Sequence, residues 1–256
     1  MPIASSAEPY HADAEPAERD GQRIGVLLVH GFTGSPASMV PWGRQLAATG
    51  LGVSVPRLPG HGTSWQELNR TRWADWAGEV DRAFEKLRAN TDQVVVCGLS
   101  MGGGLALRLA ADRGRDVAGV VLVNPAVHTE RKDVLAVPLL QHVVPSMPGI
   151  ANDIKKPGVQ EHGYTRTPLK ALHSMMSAWK VLRADLPRVT QPLLLFTSAE
   201  DHVVDPSSAR IIRGTVSSRD LTERTLENSF HVATLDHDAP EIFEESAQFV
   251  RRVTGP

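Results

Sequence analysis

The sequence predicts an α/β fold, a mostly parallel sheet flanked by helices on both faces and interrupted by one inserted cap. Three observations carry this. Short β-branched runs alternate with longer segments of helical period. A glycine-rich strand-to-helix turn sits near the middle of the chain, at 98–102. One long stretch, 124–191, breaks the alternation. With 256 residues, 41% of them hydrophobic, the chain has the length for one large domain or two small ones and enough apolar mass for a sizeable core.

Residues 1–20 carry Glu8, Asp13, Glu15, Glu18 and Asp20 with a single Arg and no apolar run, so they lack the basic and hydrophobic parts of a secretion signal and read as a disordered tail. The core follows in two parts, 21–124 and 191–256. Strands are expected at 24–29, 52–55, 93–97, 118–123, 193–197 and 221–226, where apolar and β-branched residues cluster. Between the second and third of these, Trp73, Trp76, Ala77, Val80, Phe84 and Leu87 recur at helical spacing and form one apolar stripe. Further helices are expected at 101–113, 206–214 and 240–250.

Residues 125–190 read as the insertion. No strand is expected there, and Pro138, Pro145, Pro148 and Pro157 punctuate apolar sequence. Thr167 is expected to cap a helix with Pro168 at its first position, and Leu169, Leu172, Met176, Trp179 and Leu182 supply its apolar face. A structureless connection of this length would be unusual in a compact domain, so a cap over a site is the economical reading.

Charge and composition narrow the function classes. The 27 basic and 29 acidic residues leave a formal net charge of −2, with no clustered basic footprint for nucleic acid. Cys97 is the single cysteine; it sits in an apolar run, where a buried thiol is expected, and a reducing cytoplasm suits it. No apolar run approaches the ~20 residues of a membrane-spanning helix, so a soluble cytoplasmic protein is expected. No pair of histidines is spaced to hold a metal around a carboxylate, and no dinucleotide fingerprint follows a strand, so no metal and no cofactor are expected.

The chemistry centres on Gly98-Leu99-Ser100-Met101-Gly102, between an expected strand and an expected helix. A serine on such a turn stands above the sheet edge as a nucleophile, while flanking glycines let the backbone pass. It needs a histidine base and an acid to orient it. Asp201 follows one late strand and His231 follows the last, giving the chain order Ser, Asp, His. Glu200 and Asp205 are rival acids, and His202 and His237 rival bases. Taken singly, each would more often be a turn, cap or loop residue; their joint placement after three strands favours catalysis. Two backbone N–H groups are needed for the oxyanion. Met101 supplies one, and Phe32, in the turn His30-Gly31-Phe32-Thr33-Gly34, the other.

These motifs, together with Gly60-His61-Gly62-Thr63, Glu200-Asp201-His202-Val203-Val204 and Asn228 to Asp236, resemble the α/β-hydrolase superfamily and, within it, bacterial monoacylglycerol lipases and related small carboxylesterases. The likeness spans most of residues 21–253 and departs from that group at the tail and at Phe230. It implies an α/β-hydrolase fold with a lid, Ser100 as nucleophile, Asp201 as acid, His231 as base, and Phe32 and Met101 as oxyanion donors. It extends into the cap at Pro148-Gly149-Ile150, Asp153-Ile154-Lys155, Tyr164 and Thr167-Pro168. There it implies that Ile150 narrows the pocket between acyl and alcohol halves and that Glu161 binds glycerol hydroxyls; without the likeness, both would read as cap packing and cap surface. The implied activity is hydrolysis of monoacylglycerols through an acyl-enzyme. A general carboxylesterase, thioesterase or perhydrolase is the alternative within enzymes, and a non-catalytic ligand-binding protein the alternative outside them. The expected partner is a lipid ester, with transient contact between cap and membrane surface; oligomeric state stays open.

Overall fold

Successive residues of a strand point to opposite faces, and in the inner strands both sets are apolar, as burial on both sides requires. The computed structural model, which describes residues 7–16, 21–150 and 152–255, joins them in a seven-stranded sheet. From edge to edge it runs β1 (Tyr10–Ala12), β3 (Gly52–Val55), β2 (Ile24–Val29), β4 (Gln93–Leu99), β5 (Val117–Val123), β8 (Leu193–Ser198) and β9 (Leu221–Leu226). β1 pairs antiparallel with β3; the other pairings are parallel.

The faces alternate residue by residue. Leu27, Val29, Val94, Val96, Leu122 and Leu195 pack with α3 (Trp73–Arg88), α4 (Met101–Arg113) and α7 (Ser207–Thr215). Val26, Leu28, Val95, Cys97, Val123 and Phe196 pack with α1 (Val40–Ala47) and α8 (Ala239–Thr254). Cys97 is buried, and burial pushes its thiol well above the usual range. Among the described residues no helix is long and apolar enough to cross a membrane.

The stretch between β5 and β8 holds α5 (Val137–Leu140), β6 (Ser146–Pro148), β7 (Arg166–Pro168) and the long α6 (Leu169–Asp185). Trp179, Leu182, Met175 and Ala171 of α6 join the core on the α3–α4 side. Tyr164 ties the stretch to the loop after β3: its hydroxyl accepts from the Thr63 N–H at 2.8 Å and donates to the Gly60 carbonyl at 2.9 Å.

Four expectations are corrected. The first twenty residues are not all tail: Tyr10, His11 and Ala12 pair with Val55, Ser54 and Val53, while 1–6 and 17–20 lie outside the described residues. The insertion does contain strands, since β6 pairs antiparallel with β7. Thr167 therefore does not cap α6; it lies in β7, and Pro168, with φ −74° and ψ 123°, is the residue preceding the helix. Two additional helices precede α3: α1, between β2 and β3, buries Trp42 and Leu46, and α2 (Trp65–Leu68), after β3, buries Leu68.

Candidate active site

The turn between β4 and α4 places Ser100 at φ 55° and ψ −119°, a conformation costly for any residue with a Cβ. The surroundings over-determine it. The Ser100 N–H continues the sheet ladder to the Val123 carbonyl at 3.0 Å, and its own carbonyl accepts from Gly103 at 2.9 Å and Ala126 at 3.0 Å. A side chain on Gly102 would overlap the Val29 carbonyl, and one on Gly98 would overlap the backbone of Gly102. Glycine is therefore required on both sides of Ser100 by close backbone approach.

The loops after β8 and β9 bring Asp201 and His231 together. One Asp201 oxygen accepts from the N–H groups of Val203 and Val204, both at 2.8 Å, which leaves the other for His231 Nδ1, also at 2.8 Å. A carboxylate facing Nδ1 makes that nitrogen the donor and leaves Nε2 with a free lone pair. Both side chains are under one-tenth exposed, at 9% and 7%. Burial alone would push the Asp201 carboxyl up; the His231 ring, its hydrogen bond and the Val204 and Val203 N–H groups outweigh that and hold it below the usual range. Burial pulls the His231 ring down, but Asp201, with Glu161 and Asp153, raises it above the usual 6.5.

The rivals are engaged elsewhere. Asp205 accepts from the Glu130 N–H at 2.8 Å and the Ser207 N–H at 3.0 Å. Glu200 lies 3.3 Å from His202, whose other ring nitrogen is 2.8 Å from Asp153. His237 is exposed.

Ser100 and His231 line one cavity of about 430 Å³, together with Phe32, Met101, Ile150 and Glu161. Asp201 stands behind His231, outside that lining. Met101 opens α4, where a helix leaves its first N–H groups without intrahelical acceptors. Phe32 follows Gly31, whose backbone passes close to the Ser100 side chain. His30 is fully buried beneath this turn, and burial lowers it to about 4. Ile150 is half exposed at the cavity rim. Burial raises the Glu161 carboxyl to about 7, against the downward pull of His231. No hydrogen-bond donor among the described residues reaches that carboxylate, so it is available to a ligand. The remaining wall is largely apolar, with Val137, Met147, Leu169, Leu172, Met175 and Trp179 contributed by residues 125–190. Among the described residues no group of three His, Cys, Asp or Glu could hold a metal ion.

Three contributors escaped the sequence reading: the buried His30, and the neighbours Asn152 and Asp153. Asp153 stood in a motif but carried no role, because its partners, the His202 ring and the backbone N–H groups of His202 and His231, are far away in sequence.

The hydrolase family described as serine aminopeptidase, S33, matches residues 21–238. A thermostable monoacylglycerol lipase of Bacillus sp. (strain H-257) is 39% identical over 99% of this chain and 98% of its own. A carboxylesterase of Bacillus subtilis (strain 168) is 26% identical over 89% of this chain and 92% of its own. Among solved structures, one from work on the metagenome-derived lipolytic enzymes LipS and LipT superposes with a TM-score of 0.92 at 37% identity, covering 98% of this chain and all of the other.

Proposed function

The chain belongs to the hydrolase family described as serine aminopeptidase, S33, and we propose that it is a monoacylglycerol lipase working through Ser100, Asp201 and His231. The observation that carries the reading is one largely apolar cavity holding Ser100 and the Asp201-bound His231, with the Glu161 carboxylate, unpartnered among the described residues, in its wall. Full-length similarity to a protein named as a monoacylglycerol lipase supports the substrate class.

Ser100 Oγ attacks the ester carbonyl while His231 Nε2 takes its proton, and Asp201 holds the imidazole tautomer and stabilises the imidazolium. The Phe32 and Met101 N–H groups receive the oxyanion. Collapse breaks the bond to the alkoxy oxygen, His231 returns the proton, and glycerol leaves. Water repeats the sequence on the acyl-enzyme and releases the fatty acid. Residues 125–190 act as the cap whose apolar residues line the acyl channel, Ile150 narrows the passage to the alcohol side, and Glu161 accepts from glycerol hydroxyls. Leu135, Leu139 and Val143, exposed at 74%, 79% and 77%, offer apolar side chains of the cap to the lipid surface from which substrate is drawn. Simple carboxylic esters fit the same machinery, a second reading favoured by the likeness to the Bacillus subtilis carboxylesterase.

The test is turnover of monoacylglycerols beside diacylglycerols, triacylglycerols and p-nitrophenyl esters of equal chain length. A cavity sized for one acyl chain and one glycerol excludes the larger glycerides by clash. Brisk triacylglycerol hydrolysis would refute the assignment.

A further inference from the structure

Two neighbouring residues of the inserted segment reach both halves of the site. One Asp153 oxygen lies 2.8 Å from His202 Nδ1; the other accepts the His202 N–H at 3.2 Å and the His231 N–H at 3.1 Å. The Asp153 carbonyl accepts from the Val232 N–H at 3.0 Å. A single carboxylate, 10% exposed, thus bridges the backbone immediately after Asp201 and the backbone of His231 itself, parallel to the Asp201–His231 hydrogen bond. Asn152 works in the other direction. Held at φ 67°, it accepts the Glu161 N–H at 2.6 Å with its side-chain oxygen and donates to the Val159 carbonyl at 3.4 Å.

We propose that Asn152 and Asp153 form a positioning unit coupling the two ends of the reaction: Asp153 sets the spacing of the Asp201 and His231 loops, and Asn152 sets Glu161 in the pocket wall. The inference rests on reading Ser100, Asp201 and His231 as the triad and Glu161 as the alcohol-binding acid. Its physical basis is that loops carry no sheet ladder of their own, so the separation of two loop residues is set by whatever bonds both. Asp236 secures the same stretch independently, accepting the N–H groups of Lys155 at 2.6 Å, Lys156 at 2.9 Å and Phe230 at 2.9 Å. The segment therefore keeps its attachment when Asp153 is changed, and the enzyme remains folded for assay.

Asp153 also acts on His231 through charge. The charged and titratable groups facing His231 are Asp201, Asp153 and Glu161, with His128, Arg131 and Asp133 elsewhere in the cavity lining; His202 and Glu200 reach it by way of Asp153. Removing the Asp153 charge withdraws one of the carboxylates that favour the imidazolium.

The experiment measures kcat and KM against pH for a monoacylglycerol and a p-nitrophenyl ester of equal chain length, with kcat normalised to fluorophosphonate-titrated sites. Asp153→Asn keeps the size and one acceptor but loses the charge. It is expected to lower kcat about tenfold on both esters and to move the acid limb of kcat/KM down by up to about one pH unit. Asn152→Gly keeps the left-handed backbone accessible but removes the side-chain acceptor. It is expected to raise KM for the monoacylglycerol more than KM for the p-nitrophenyl ester. Wild-type kcat and an unmoved limb in Asp153→Asn, or equal KM changes for the two esters in Asn152→Gly, would overturn the coupling. A Ser100→Ala enzyme that still turned over would instead remove the triad reading beneath it; an inactive Ser100→Ala beside an unaffected Asp153→Asn would remove only this inference.

Discussion

His30 donates from Nδ1 to the carbonyl of Gly31 at 3.0 Å, and that carbonyl belongs to the peptide whose N–H is Phe32's. The tautomer follows from the other side of the ring, where Nε2 accepts the Leu58 N–H at 3.2 Å and so carries no proton. In a trans peptide the C=O and N–H point in opposite directions, so a histidine gripping the oxygen aims the nitrogen. His30→Ala is expected to lower kcat roughly 10- to 100-fold with little change in KM, because it loosens the proposed oxyanion donor, which is needed most in the transition state. A variant with a raised KM and an intact kcat would show that the ring only packs.

The same burial makes His30 a source of acid sensitivity. Its folded value of about 4 lies below the 6.5 of an unperturbed histidine, so between these pH values the unfolded chain binds the extra proton. Stability from this group is fully present above 6.5 and is lost as pH falls toward 4, by on the order of 3 kcal/mol. Urea midpoints measured between pH 7 and 4.5 should fall less steeply for His30→Gln than for wild type. Parallel curves would contradict the burial argument. Glu161 contributes with the opposite sign, because its folded value is raised to about 7 and its stabilising effect is lost as pH rises through that value.

For catalysis the relevant shift is upward. In the proposed mechanism His231 must be neutral to accept the Ser100 proton, and the carboxylates around it hold its value above 6.5. The acid limb of kcat/KM is expected above 6.5 in wild type and lower in Glu161→Gln, which removes one of those charges. A wild-type limb below 6.5, or one that rises in Glu161→Gln, would contradict this electrostatic account.

Gly102 approaches the Val29 carbonyl too closely for a Cβ. Gly102→Ala is expected to cost roughly 1–3 kcal/mol in denaturant unfolding and to lower kcat by shifting Ser100. A stable and fully active Gly102→Ala would mean that the turn is more tolerant than its packing indicates.

Much of this was legible in the sequence because it is local. The six expected strands lie within the seven-stranded sheet; the inner ones are runs of apolar residues that satisfy burial without knowledge of their neighbours, while Leu221–Leu226, at the edge, was marked by its β-branched threonines between leucines. Ser100, Asp201 and His231 could be named because each lies within a few residues of the end of an expected strand. What escaped depends on distant pairing. Tyr10–Ala12 is three residues long, flanked by acids, and becomes a strand only because β3 leaves an edge to pair with. Ser146–Pro148 and Arg166–Pro168 are equally short, each ending in proline, and their bonding crosses the intervening chain. The helix at Val40–Ala47 contains Pro41 and Gly43, which hide the spacing of Met39, Trp42 and Leu46. Asp153 could not have been assigned at all without the two loops that it bridges.

Ser100 as nucleophile is tested by the intact mass of wild-type and Ser100→Ala protein after exposure to a fluorophosphonate, read beside monoacylglycerol turnover. One phosphonyl group is expected on wild type, located on the Ser100 peptide, with none on Ser100→Ala and a loss of several orders of magnitude in its kcat. A label on another residue, or near-normal turnover by Ser100→Ala, would contradict that role.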